Sequence, residues 1–152
     1  LDVRFVNEAY QLRMIFEQEA VRRMARAPNE PLLEDLYKRT SEMKARAEMQ
    51  DRIDEDLGAE GFKIDLDLHD SLIANLENTL ISDSYQKLDD RVRLIRMNSK
   101  FSKDRLVSAM SEHLAIISAL RKADEKQSLT AVTNHISTSW RRALGGKDTV
   151  FP

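Results

Sequence analysis

The chain has 152 residues, no cysteine, 41% apolar and 33% charged residues, and a net charge of −2. That length is one ordinary domain with enough apolar side chains for a core, and the small net charge counts against nucleic-acid binding by this stretch alone, which needs clustered lysine and arginine. Disulfides and thiolate metal sites are excluded, no apolar run approaches the roughly 20 residues that cross a bilayer, and no signal peptide is visible.

The chain begins at Leu1 without an initiator methionine and already in a helical pattern, so it reads as a fragment of a longer protein. With only four glycines and three prolines, long helices are expected. Residues 3–27 form the first, with Val6, Ala9, Tyr10, Phe16, Ala20 and Met24 at helical spacing and Arg13 and Glu17 in the same stripe. Pro28 stops it. Asn29 then caps a second helix with Pro31 in its first turn, and the stripe Leu32, Leu33, Leu36, Tyr37, Met43, Ala47 carries on to Ile53. Its other face, with Lys44, Arg46, Glu48, Asp51 and Arg52, reads as a solvated surface.

Gly58 and Gly61 bracket a break, and a third helix is expected from about Phe62 to Leu76. Asn78 marks a tight junction into a fourth, with Ile81, Tyr85, Leu88, Val92 and Ile95 inward and Arg91, Arg93 and Arg96 along it. Asn98–Ser102 is a connector whose serine can cap the fifth helix. That helix runs to about Lys122 with the stripe Leu106, Met110, His113, Ile117, Leu120. Asp124 and Gln127 have capping-box form. The last helix spans about Glu125 to Leu144, carries Ala131, His135 and Trp140, and ends at Gly145-Gly146. The expected fold is all-α, an antiparallel bundle of about six helices.

Asp65 and His69 are four residues apart, on one helix face with Phe62, Leu72, Ile73 and Leu76. A carboxylate and an imidazole on an inward face need partners, because burying them unpaired is costly. His113 and His135 lie eleven residues either side of Asp124. In an antiparallel helix pair each is then about 16 Å from the turn, at the same height. The bland alternative is three separate core histidines, each with its own hydrogen bond. Three histidines that all fit inward faces point instead to one metal site in the bundle interior, with Asp65, His69, His113 and His135 as ligands. That donor set suits a divalent metal, zinc, nickel, cobalt, manganese or iron, without choosing among them; zinc is the first expectation. One carboxylate on a divalent cation leaves a net charge of about +1, which attracts a small carboxylate.

Asp-x-x-x-His on one helix, a histidine 44 residues on and another 22 beyond resembles the FCD domain, the C-terminal effector-binding domain of FadR-subfamily, GntR-type bacterial transcription regulators. Arg13-Met-Ile-Phe-Glu17 resembles that family's Arg-x-x-x-Glu, His69 with Asn78 its His…Asn segment, and His113…Ala119…Asp124…Ala131…His135 its final helix pair. Leu68 replaces the usual Phe, and Glu77 and Ala123 stand where glycine is common. The resemblance covers nearly the whole chain. It implies a metal on the same four residues, an adjoining effector pocket for a small organic acid or sugar acid, a homodimer, and an upstream winged helix-turn-helix domain that alone contacts DNA. A cytoplasmic protein is expected, as the absence of cysteine fits a reducing compartment, and not an enzyme, as no convincing general base is visible. The candidate effector contacts are Arg13, in the inward stripe of the first helix, and Arg93, with Arg91 and Arg96 as further alternatives on the same helix as Arg93 and a solvated position the other reading for all three. An internal pair between Arg13 and Glu17 is the alternative for the first. The competing functions are a metal-dependent hydrolase, with Glu17 or Asp67 as possible bases, and a plain helical interaction module.

Overall fold

A computed structural model describes residues 2–97 and 102–145. Six helices account for almost all of them: α1 (Val3–Arg26), α2 (Glu30–Glu48), α3 (Glu55–Ala74), α4 (Thr79–Met97), α5 (Lys103–Arg121) and α6 (Glu125–Ala143). Local chemistry sets their ends. Asp2, Asn29, Asp54, Ser102 and Asp124 are N-caps whose side chains accept a backbone N–H of the first turn. Asn78 does the same for Ile81 at the start of α4. Asp124 forms half of a capping box, since its own N–H goes to the Ala119 carbonyl that closes α5. The connector Asn98–Phe101 and Gly146 lie outside the described residues.

Two boundaries differ from the sequence reading. The second helix stops at Glu48 and does not reach Ile53. The third begins at Glu55, so Gly58 and Gly61 lie inside α3 and no break separates them from Phe62. The Asp54 cap, typically worth about 1 kcal/mol, offsets only part of the roughly 1 kcal/mol that each glycine costs a helix, and burial of the α3 face with Leu57, Leu68 and Leu72 supplies the rest. Gly61 has a packing reason: a Cβ there would stand 2.7 Å from Leu106 Cδ1, so its bare backbone lets α5 approach. Glu77 and Ala123, by contrast, take the left-handed backbone at φ 52° and 54°. Both junctions therefore have the geometry glycine favours, held by residues for which it is strained.

Cross-contacts fix the helix directions. α1 and α6 run antiparallel, as Trp140 Nε1 donates to Asn7, Tyr10 meets Ser139, and Gln18 donates to Thr133. Arg121 over Tyr37 and Lys103 on the Glu48 carbonyl make α2 and α5 antiparallel. Phe16 against Tyr85 and Phe5 against Arg91 do the same for α1 and α4. The buried apolar side chains form two clusters. The larger joins Tyr10, Met24, Leu33, Leu72, Ile117 and Trp140 among others; the smaller is Met43, Ala47, Leu57, Leu106 and Met110. Along α5 the order is Leu106 and Met110, then His113, then Ile116 and Ile117. His113 thus lies at the seam between the clusters. Among the described residues no helix is long and apolar enough to cross a membrane.

Candidate metal centre

The four residues singled out in the sequence come together. Asp65, His69, His113 and His135 are all buried, and each offers one ligand atom within 4.8 Å of the others. His113 Nε2 is 3.1 Å and His69 Nε2 is 3.4 Å from Asp65 Oδ1, and His135 Nε2 is 3.3 Å from His69 Nε2. Atoms bound to one ion at about 2.0–2.1 Å lie roughly 3.0–3.4 Å apart. These separations therefore suit a shared cation. The helical placement explains the convergence: α3 supplies Asp65 and His69 one turn apart, while α5 and α6 bring His113 and His135 to one height across the Asp124 turn.

The orphaned atoms favour the same use. Neither ring nitrogen of His113 makes a hydrogen bond among the described residues, although both are buried. Its Nε2 is near Asp65 Oδ1 but not aligned for an N–H···O bond. A buried imidazole left in this way is costly, and a metal ion at its Nε2 removes half of the deficit. Three imidazoles and one carboxylate are an ordinary donor set for a divalent first-row metal, so the group could hold one ion.

Charged side chains surround the cluster. Glu17, fully buried on α1, accepts from His69 Nδ1 through one oxygen and from Arg13 Nε at 2.6 Å through the other. Glu112 accepts from His135 Nδ1 at 2.8 Å. Arg96 on α4 donates to Asp65 Oδ2 at 2.7 Å. A cavity of about 480 Å³ adjoins the cluster and reaches Asp65 and His135. Its walls carry Arg13, Arg93, Arg96, Arg105 and Arg142 against the carboxylates of Asp54, Glu55 and Asp65. Arg13 and Arg93, the first candidates from the sequence, therefore reach the cavity, as does the alternative Arg96. Arg13 also makes the internal pair with Glu17, and Arg93 is held by Asp89 at 3.0 Å beside Phe62. Of the other α4 arginines, Arg96 reaches the site and Arg91 lies on the exposed side against Phe5.

Glu112 and Arg142 were not singled out in the sequence, and Arg96 was named only as an alternative effector contact, not as the partner of Asp65. Arg96 has no periodic signal linking it to Asp65, 31 residues away. Glu112 had one. The equidistance rule that matches His113 with His135 also puts Glu112, twelve residues before Asp124, level with position 136 and so beside His135.

Burial and charge divide the histidines. Burial alone would lower the His69 pKa, but Glu17 and Asp65 outweigh it and raise the pKa to about 9. Burial likewise opposes ionisation of Glu17, yet His69 and Arg13 bring it down to about 2. Asp65 is held well below the usual carboxylate range, as Arg96 and the two neighbouring histidines overcome its burial. Burial lowers His113, and burial with the neighbouring imidazoles lowers His135 further. The stability of protein stripped of metal ions should therefore depend on pH. The His69 contribution is complete below pH 6.5 and is lost as pH rises through about 9. Those of His113 and His135 are present above pH 6.5 and are lost as pH falls below it. The denaturation midpoint should peak near neutrality and decline between pH 6.5 and 9; a midpoint that is level or rising over that interval contradicts the charge assignment of His69.

The sequence matches the family model of the FCD domain over residues 8–138. Among solved structures, the metal-free FCD domain of TM0439, a candidate transcriptional regulator, is similar to this chain with a TM-score of 0.74 at 18% identity, over 95% of this chain and 94% of that one. The Zn2+-bound FCD domain of the same protein gives 0.70 at 19%, with the same coverage. No curated protein matches the sequence significantly. At these identities the structures speak for the fold alone, whereas the family match spans most of the sequence: this chain belongs to the FCD-domain family.

Proposed function

We propose that the domain is the ligand-sensing part of a FadR-subfamily, GntR-type bacterial transcription regulator. It holds one divalent metal, zinc in the first instance, on Asp65, His69, His113 and His135. It takes a small organic acid or sugar acid into the adjoining cavity and passes the event to a linked winged helix-turn-helix domain, through which alone DNA is bound. The observation that carries this reading is a buried four-residue donor set opening on a cavity walled by arginines. When bound, the metal supplies a Lewis-acidic centre with positions open to a ligand oxygen. Its excess of about +1 over the Asp65 carboxylate, together with the arginine walls, selects an anion.

The chain's own residues shape what is recognised. Arg13 uses Nε on Glu17, and a guanidinium has further N–H groups to direct at a carboxylate. Arg93 stands beside Phe62 in the same wall. Ligand charge there bears on α1 and α4, so occupancy can shift the balance between arrangements of the bundle that differ in their affinity for the ligand. The hydrolase reading is less favoured because both carboxylates considered as bases are engaged. Asp67 is paired with Arg39 at 2.7 Å, and Glu17 is bound by Arg13 and His69. A plain interaction module would not require so much buried charge.

Three outcomes test this reading. Purified domain should carry about one divalent ion per chain, His113→Ala and His135→Ala should each lose it, and adding zinc to stripped protein should raise its melting temperature; full metal occupancy in both variants removes these residues from the site. In calorimetry at saturating zinc against a panel of small mono- and dicarboxylates, Arg13→Lys should weaken the best binder about tenfold or more, through loss of planar two-pronged contact, with about one ion per chain still bound at that zinc concentration. Equal affinity in the variant would leave Arg13 a structural residue only. The domain should also sediment as a homodimer at micromolar concentration, because regulators of this kind read paired half-sites; a monomeric profile contradicts that part.

A further inference from the structure

Two of the three histidines are held by an arrangement that is repeated. On one side Arg13 Nε binds Glu17 Oε2, and Glu17 Oε1 accepts from His69 Nδ1. On the other, Arg142 lies 3.6 Å from Glu112 Oε2, and Glu112 Oε1 accepts from His135 Nδ1 at 2.8 Å. The four charged residues come from three different helices, α1, α5 and α6. In each case one oxygen of a glutamate faces an arginine and the other faces an imidazole. Glu17 is bonded at both oxygens and cannot follow the ring if it rotates; Glu112 is bonded to its ring at one oxygen and has only a looser charge contact with Arg142 at the other. A proton on Nδ1 leaves the Nε2 lone pair facing the centre, and both Nε2 atoms do point there, 3.3 Å apart.

We propose that Glu17 and Glu112 are positioning residues of the metal centre, holding His69 and His135 with Nδ1 protonated and Nε2 presented to the ion, and that His113 binds without such support. The inference rests on the metal reading given above. The two carboxylates touch the outer edge of the rings, so they act through the histidines. A carboxylate behind an imidazole both orients it and makes its other nitrogen a better donor, and losing such a partner commonly lowers metal affinity by about 10–100-fold.

Glu112 offers the cleaner test, because its side chain is 22% exposed and Glu17 is wholly buried. Zinc affinity is measured by competition with a chromophoric chelator for wild type, Glu112→Ala and Glu112→Gln. Glu112→Ala should bind zinc about 10–100-fold more weakly. Glu112→Gln can still accept from Nδ1–H but lacks the charge, so it should recover most of the loss. A merely structural role would lower the melting temperature of the stripped variants and leave zinc affinity within about twofold of wild type; that result overturns the proposal. Nitrogen-15 NMR of histidine side chains in the zinc-loaded wild type gives a reading that needs no variant. His69 and His135 should show protonated Nδ1 with Nε2 on the metal, and the opposite tautomer at either overturns the assignment. Wild type that takes up no zinc refutes the metal centre itself, an outcome separate from zinc bound equally well by wild type and Glu112→Ala.

Discussion

The structure depends on keeping a carboxylate and three imidazoles inside a helical bundle. Burying such groups without partners is costly, and the bundle meets that cost with opposite charges from neighbouring helices. Arg96 of α4 holds Asp65, Glu17 of α1 holds His69, and Glu112 of α5 holds His135. Every helix but α2 contributes a group to the cluster or to its surroundings. The two apolar clusters then pack to either side, with Gly61 permitting the close approach of α3 and α5.

This organisation joins the candidate metal site and the cavity into one electrostatic unit. Arg13, Arg96 and Arg142 line the cavity and also reach the cluster, the first and last through a glutamate and the second directly. An anion entering the cavity meets guanidinium groups that already stabilise the donor set. Ligand occupancy and metal binding are therefore expected to be linked, each altering the affinity for the other.

Much of the site was legible in the sequence, for geometric reasons. The four-residue spacing of Asp65 and His69 and the symmetry of His113 and His135 about Asp124 are consequences of helix periodicity, and burial of all four follows from their apolar neighbours. Arg13 with Glu17 was visible in the same way. Pairings across the bundle were harder: Arg96 with Asp65 joins two helices whose relative height no local pattern records. Glycine misled at the start of α3, because Gly58 and Gly61 were read as punctuation, whereas Gly61 serves helix packing. Glu77 and Ala123 show the reverse, turns taken at positive φ without the residue that favours them.

The central claim is that Asp65, His69, His113 and His135 share one ion, and X-ray absorption at the zinc edge of the zinc-loaded domain tests it most directly. The account predicts a first shell of nitrogen and oxygen only, at about 2.0–2.1 Å, with the outer scattering of three imidazole rings. A shell with one imidazole or none, or one dominated by water oxygens, would place the zinc elsewhere and contradict the claim.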